Sequence, residues 1–174
     1  MITNMKKKLS RYALSGILFT SVLGTLSHFL YEWSDNNLYI GLFSPVNESV
    51  WEHMKLLFFP MLLYFVFEKL MLENISPSRF CHNAIALLTG TFLIPVLFYT
   101  YTGILGFHLT PLDIAVFYIS VAAAFLLRYF LSASGKKISR IHCLWLTALI
   151  LLIFICFLIF TSCPPDIGLF QIPA

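Results

Sequence analysis

The chain has 174 residues, of which 59% are hydrophobic and only 11% charged. Soluble domains carry about a quarter charged residues, so this composition and a mean hydropathy of +0.86 exclude an ordinary water-soluble globule. The net charge of +3 sits in short basic clusters beside apolar runs, which suits membrane topology rather than nucleic-acid binding.

The N-terminus, MITNMKKKLSR, leads into an apolar run that continues for about 20 residues and ends in HFLYEW without a small-residue cleavage site. It reads as an uncleaved first span rather than a signal peptide. Five apolar stretches follow one another at 12–33, 49–72, 83–106, 111–132 and 141–162. Each is long enough to cross a bilayer as a helix. The connections are short, so the prediction is an all-α, polytopic integral membrane protein, one domain built as a bundle of five transmembrane helices. Four cysteines, Cys81, Cys143, Cys156 and Cys163, lack metal-finger spacing, and no disulfide framework is predicted.

Orientation follows from the basic residues. Lys6, Lys7, Lys8 and Arg11 precede the first span, Lys69 and Arg79 flank the second connection, and Arg128, Lys136, Lys137 and Arg140 surround the fourth. With the N-terminus cytoplasmic, all of these fall inside and Lys55 alone falls outside, as the positive-inside rule requires. The tail CPPDIGLFQIPA is then extracytoplasmic. Glu32, Asp35, Glu48, Glu52, Asp113 and Asp166 gather at the outer end with His28, His53 and His108, while Glu68 and Glu73 lie at the inner one.

In the first span, Ser21, Thr25, His28 and Glu32 recur at helical spacing and form one polar stripe. Lipid offers such groups no partner, so the stripe is expected to face other helices or a wet cavity. Ser44 and Pro45 read as the N-cap and first residue of the second helix, with Glu48 in its first turn. Glu48, Glu52 and Lys55 then recur along one face, flanked by Trp51, and Ser49 and His53 form an adjoining pair.

Two readings of this constellation stand side by side. His28, Glu48 and His53 form a mixed nitrogen and oxygen set suited to a divalent ion such as zinc, with Glu52 as a base and Glu32 as a further ligand or orienter. The spacing lacks the HExxH pattern of the metalloproteases. Alternatively the same residues are a structural polar network, with Lys55 paired to Glu52 and Trp51 and Trp33 anchoring the interface. Asp113, just after Pro111, reads as a helix N-terminal residue that could close the site from the fourth span. Tyr99, Tyr101 and His108 read mainly as an interfacial aromatic belt, with substrate contact the lesser alternative, and His82 and His142 as interfacial rather than catalytic. Asn47-Glu48-Ser49 and Asn74-Ile75-Ser76 match the glycosylation pattern but abut the membrane, which makes them poor acceptors.

The segments His28-Phe29-Leu30-Tyr31-Glu32-Trp33-Ser34 and Pro45-Val46-Asn47-Glu48-Ser49-Val50-Trp51-Glu52-His53-Met54-Lys55 resemble the hallmark of a family of small multi-pass bacterial membrane proteins known only as a domain of unknown function. The tail Pro164-Pro165-Asp166-Ile167-Gly168-Leu169-Phe170 resembles that family's ending, which continues through an aspartate-proline step where this chain has Ile172-Pro173. The resemblance implies a bacterial cytoplasmic membrane location and no particular reaction. A more distant analogy is to membrane hydrolases that hold zinc among transmembrane helices, generally with seven spans and a different motif order.

The expectation for function is metal-assisted hydrolysis of a lipid-like or membrane-proximal substrate. His28, Glu48 and His53 would be ligands, Glu52 and Glu32 the catalytic carboxylates, and Asn47, Lys55, Trp51 and Asp113 the substrate contacts. The alternatives are a small-molecule or ion carrier and a membrane-complex subunit. Membrane lipids are the expected surroundings, and nucleic acid is not an expected partner.

Overall fold

The computed structural model describes residues 2–71 and 77–173. Among them the chain is all-α, with five long helices and one short one: α1 (Ile2–Trp33), α2 (Leu38–Gly41), α3 (Val50–Met71), α4 (Pro77–Leu105), α5 (Thr110–Ala133) and α6 (Arg140–Ser162). A single 3-10 turn, Gly168–Phe170, follows in the tail. Glu73, the last residue of the predicted second span and the Asn74-Ile75-Ser76 sequon lie outside the described residues.

Four helices are long and apolar enough to cross a membrane, over Lys7–Trp33, Ser78–Leu105, Thr110–Ala133 and Arg140–Ser162. The fifth long helix, α3, is not among them, and it carries Glu52, Lys55, Glu68 and Lys69. Its position explains how it tolerates the first three, while Lys69 is exposed near its end. α3 packs against α1, α4 and α5, with Met54, Leu57, Phe58 and Met61 fully buried. The other helices supply most of its surroundings. α6 lies against α4 and is the least enclosed, with only Ile153 and Phe157 buried.

The end of α1 shows why the next helix returns beside it. Asp35 and Asn36 adopt positive φ of 53° and 58°, a conformation that short polar side chains tolerate. The Asn36 N–H reaches back to the Tyr31 carbonyl at 3.0 Å, closing a Schellman-type end. The connection then makes the single turn of α2, capped by the Asn37 side chain, which accepts the Tyr39 N–H at 2.9 Å.

α3 begins later than the Ser44-Pro45 signal predicts. Asn47 first folds its carboxamide oxygen onto the Ser49 N–H at 2.9 Å, an Asx turn that holds residues 47–49 off the helix. Ser49 is the effective cap, its hydroxyl accepting the Glu52 N–H at 3.4 Å. Glu48 therefore stands in the loop before the helix and not in its first turn.

At the opposite end of the bundle, Arg128 of α5 is buried, its guanidinium donating to both oxygens of Glu68 and, at 2.7 Å, to the Asn83 carboxamide. Arg128 thus serves as an internal cross-brace of α3, α4 and α5 as well as a topology charge. No disulfide framework is predicted from spacing, yet one pair is joined: Cys81 on α4 and Cys143 on α6 are bonded, their Cα atoms 5.3 Å apart across 62 residues of sequence. Only the packing of α6 onto α4 brings them together, and spacing carries no sign of it.

Candidate metal centre

Three side chains, from two helices and the loop between them, converge at the end of the bundle where α1 finishes and α3 starts. His28 projects from the last turns of α1, Glu48 from the loop, and His53 from the first turn of α3. One ligand atom from each lies within 4.8 Å of the other two. Glu48 sits between the imidazoles, with one carboxylate oxygen 3.3 Å from His53 Nε2 and the other 3.8 Å from His28 Nε2.

The late start of α3 makes this possible. Because the Asx turn swings Glu48 out of the helical stripe, it faces His28 and His53, while Glu52 turns the other way. His53 is further oriented by its own backbone: Nδ1 lies 2.9 Å from the Ser49 carbonyl oxygen, to which it donates. That hydrogen bond holds the Nδ1 proton and aims Nε2 at Glu48, to which it donates while protonated; once that proton leaves, the Nε2 lone pair faces the cluster, the outer-sphere arrangement that metal-bound histidines use. Among the described residues His28 Nδ1 is buried without a partner, so its Nε2 edge is the one presented to the cluster. Hydrogen bonding to His53 holds the Glu48 carboxyl below its ordinary pKa, against desolvation that pushes it up. Two imidazole nitrogens and a carboxylate form a three-ligand set of the kind that holds a catalytic divalent ion with a position left open.

The cluster opens onto a cavity of about 700 Å³, in the size range of small-molecule sites. Its wall is mostly apolar, with Leu56, Ile94, Phe98 and Phe117 deep inside. Across from the cluster stands a second polar group. His108 Nδ1 lies 3.1 Å from an Asp113 carboxylate oxygen, and the Tyr101 hydroxyl donates to the other oxygen of the same carboxylate. The Leu109 N–H in turn donates to the Tyr101 oxygen at 3.3 Å. Both His108 and Asp113 line the cavity, and the Asp113 charge acts on His53.

The other residues singled out by spacing lie elsewhere. Glu52 and Lys55 are buried and paired at 2.7 Å, on the side of α3 away from the cavity. Glu52 accepts the Val46 N–H at 3.0 Å, and the Lys55 ammonium also donates to the Gly41 carbonyl at 3.0 Å and the Thr161 hydroxyl at 2.5 Å. Glu32 is exposed and does not line the cavity. Asn47 is engaged in its turn. Trp51 packs its ring 4.6 Å from that of Phe157 and 4.9 Å from that of Phe170, pinning the tail so that Ile172 and Pro173 reach the cavity.

Asp113 does line the cavity. His108 and Tyr101, read as an aromatic belt, belong to its hydrogen-bonded group. The signal that could have found them is a His five residues before an Asp across a Pro-started helix, which brings the loop end back over the first turn.

A family described as "Family of unknown function (DUF6512)" matches residues 1–173. No curated protein and no solved structure gives a match.

Proposed function

The chain belongs to that family of unknown function, and from that premise we propose, on the chemistry of the site, that it is a membrane-embedded metal-dependent hydrolase of an amphiphilic substrate. The observation that carries the reading is the convergence of His28, Glu48 and His53 within 4.8 Å at the head of a largely apolar cavity. Zinc is the proposed ion, because two imidazoles and one carboxylate suit it and it needs no redox partner. In this reading α3 is a fifth crossing whose Glu52, Lys55 and Glu68 charges are paired within the bundle, with Lys69 exposed near its end. The N-terminus is cytoplasmic by the positive-inside rule, and the site lies at the extracytoplasmic end of a bacterial cytoplasmic membrane.

Held by His28, Glu48 and His53, the ion would supply Lewis-acid polarisation of a substrate carbonyl for attack by a water oxygen. His108 Nε2, freed by the Nδ1–H to Asp113 hydrogen bond, takes the water proton and returns it to the leaving oxygen as the carbon–oxygen bond breaks. This gives His108 the proton-handling role that spacing assigns to Glu52, whose carboxylate is occupied by Lys55 and the Val46 N–H. Asp113 orients His108 through the same hydrogen bond. The structural-network reading applies to Glu52 and Lys55, which are enclosed, and not to the cluster on the cavity.

The test is metal analysis of detergent-purified protein reconstituted with zinc. About one equivalent is expected, lost in His53→Ala and Glu48→Gln and kept in His108→Gln. Folded wild-type protein that retains no metal overturns the reading.

A further inference from the structure

Three residues of α1 and α5 that line the cavity are also well exposed. Phe29 of α1 is 42% exposed, and Ile114 and Tyr118 of α5 are 54% and 41% exposed, yet all three line the cavity. In a chain whose α1 and α5 are apolar enough to cross a membrane, that exposed side is the hydrocarbon side. The wall between α1 and α5 is therefore a seam at which cavity and bilayer meet.

One tie crosses the seam. The Thr25 hydroxyl donates to the Ser21 carbonyl at 2.8 Å, so its oxygen accepts from the Tyr118 hydroxyl, 2.9 Å away. Each hydroxyl thereby satisfies the other where lipid would not. Immediately below, the seam is shut: a Cβ on Gly24 would stand 2.5 Å from the Leu56 carbonyl oxygen and 2.6 Å from Phe117 Cζ. The opening starts at Thr25 and extends toward the loop end, and behind it the wall is Leu56, Ile94, Phe98 and Phe117. Apart from that hydroxyl pair, the polar groups sit toward the loop end, with His28, Glu48, His53, His108 and Asp113.

We propose that the cavity receives the hydrocarbon chain of a bilayer amphiphile sideways, between α1 and α5, with the Thr25–Tyr118 hydrogen bond as the latch and the headgroup carried to the histidine cluster. The headgroup placement rests on the proposed function above; the chain entry does not. A substrate arriving through water would meet the reverse polarity, because the deep wall is apolar and the charged groups are at the water end. Tyr118 and Thr25 act on entry and do not touch the reacting bond.

The test uses the full-length protein in nanodiscs of phosphatidylethanolamine and phosphatidylglycerol, with a palmitic acid probe that carries a terminal diazirine. Labelled residues are mapped by mass spectrometry, and metal content is measured on the same samples. Labelling is expected to favour Leu56, Ile94 and Phe98 over the lipid-facing Leu14 and Leu151. Thr25→Trp, which crowds the seam from an exposed position, is expected to lower cavity labelling about tenfold and leave that of Leu14 and Leu151 unchanged. Tyr118→Phe keeps the ring and removes the latch, and is expected to speed cavity labelling, which keeps the proposal testable where Thr25→Trp fails to fold. Even labelling of cavity and outer surface, or cavity labelling that neither variant alters, overturns it. Metal bound with no chain in the cavity overturns this inference alone; a chain in the cavity with no metal overturns the proposed function and leaves the entry route standing.

Discussion

Lys55 Nζ lies 2.7 Å from Glu52 Oε2, and the two side chains are 0% and 3% exposed. They share one turn of α3 and are sealed from the cavity. Removing one partner leaves the other charge buried without compensation, which costs about 3–5 kcal/mol. Glu52→Gln is therefore expected to destabilise the protein by about that amount, since the ammonium keeps only the Gly41, Ser44 and Thr161 oxygens. The double variant with Lys55→Met removes both charges and is expected to recover most of the loss, a coupling readable by thermal unfolding in detergent. Zinc content of the folded fraction should be unchanged in Glu52→Gln. Loss of metal there would place the carboxylate at the cluster instead.

Close packing of α1 on its neighbours gives a second expectation. Gly24 has no room for a methyl group, with a backbone oxygen at 2.5 Å, whereas nothing lies within 4 Å of a Cβ on Gly103. Both are helical glycines. Gly24→Ala is expected to cost about 1–3 kcal/mol by overpacking. Gly103→Ala is expected to be neutral or to stabilise by up to about 1 kcal/mol, because alanine is the better helix former. Melting temperatures that move equally in both variants would remove the argument that this stretch of α1 is tightly seated.

The lowered Glu48 carboxyl fixes a pH dependence. Its folded-state pKa is below the ordinary 4.5, chiefly because it accepts a hydrogen bond from His53. A depressed carboxylate contributes stability that is present above the unfolded value and is lost as pH falls through the folded one. The apo protein should therefore be more stable than Glu48→Gln at neutral pH, and the difference should begin to shrink as pH falls below about 4.5 and disappear only below the lower folded-state value. Denaturant or thermal melts of both proteins at several pH values check this. A difference that persists at the acid end would mean that the carboxylate's charge is not what the imidazoles respond to.

Much of the fold is legible in hydropathy, because lipid-facing helices must be apolar over their whole length and the four strongest runs are. The extra helical turns before residue 12 are less visible, since Lys and Arg are good helix formers and do not mark a start. The site is legible only as a set of candidates. His28, Glu48 and His53 can be nominated by side-chain type, but periodicity places Glu48 on the same face as Glu52 and Lys55. A local event that periodicity ignores, the Asn47 carboxamide folding onto the Ser49 N–H, moves Glu48 to the other side. Tyr101 and His108 escape for a related reason. Their partner Asp113 follows an intervening turn at Gly106, whose φ of +81° bends the chain back on itself. Polar residues at a membrane boundary also fit an aromatic belt, so composition alone cannot separate the two roles.

The Cys81–Cys143 bond supplies the last expectation. α6 has only two buried side chains and is held at its start by this bond and near its end by the Lys55 to Thr161 hydrogen bond. Cross-linking across 62 residues removes chain entropy from the unfolded state worth about 4 kcal/mol in the loop-closure account. A membrane-confined unfolded chain is already restricted, so about half of that is the expected loss on Cys81→Ser or on reduction. The pair lies at the end that carries Arg79, Lys136, Lys137 and Arg140, the cytoplasmic end under the positive-inside rule, where thiols are kept reduced. The bond is therefore expected to be open in growing cells and to form on purification in air. Thiol alkylation before lysis followed by mass spectrometry reads this directly: both cysteines alkylated fits the proposed orientation. A bond already closed at lysis, with the site end labelled from the cytoplasm, would invert the topology and move the histidine cluster to the inner leaflet.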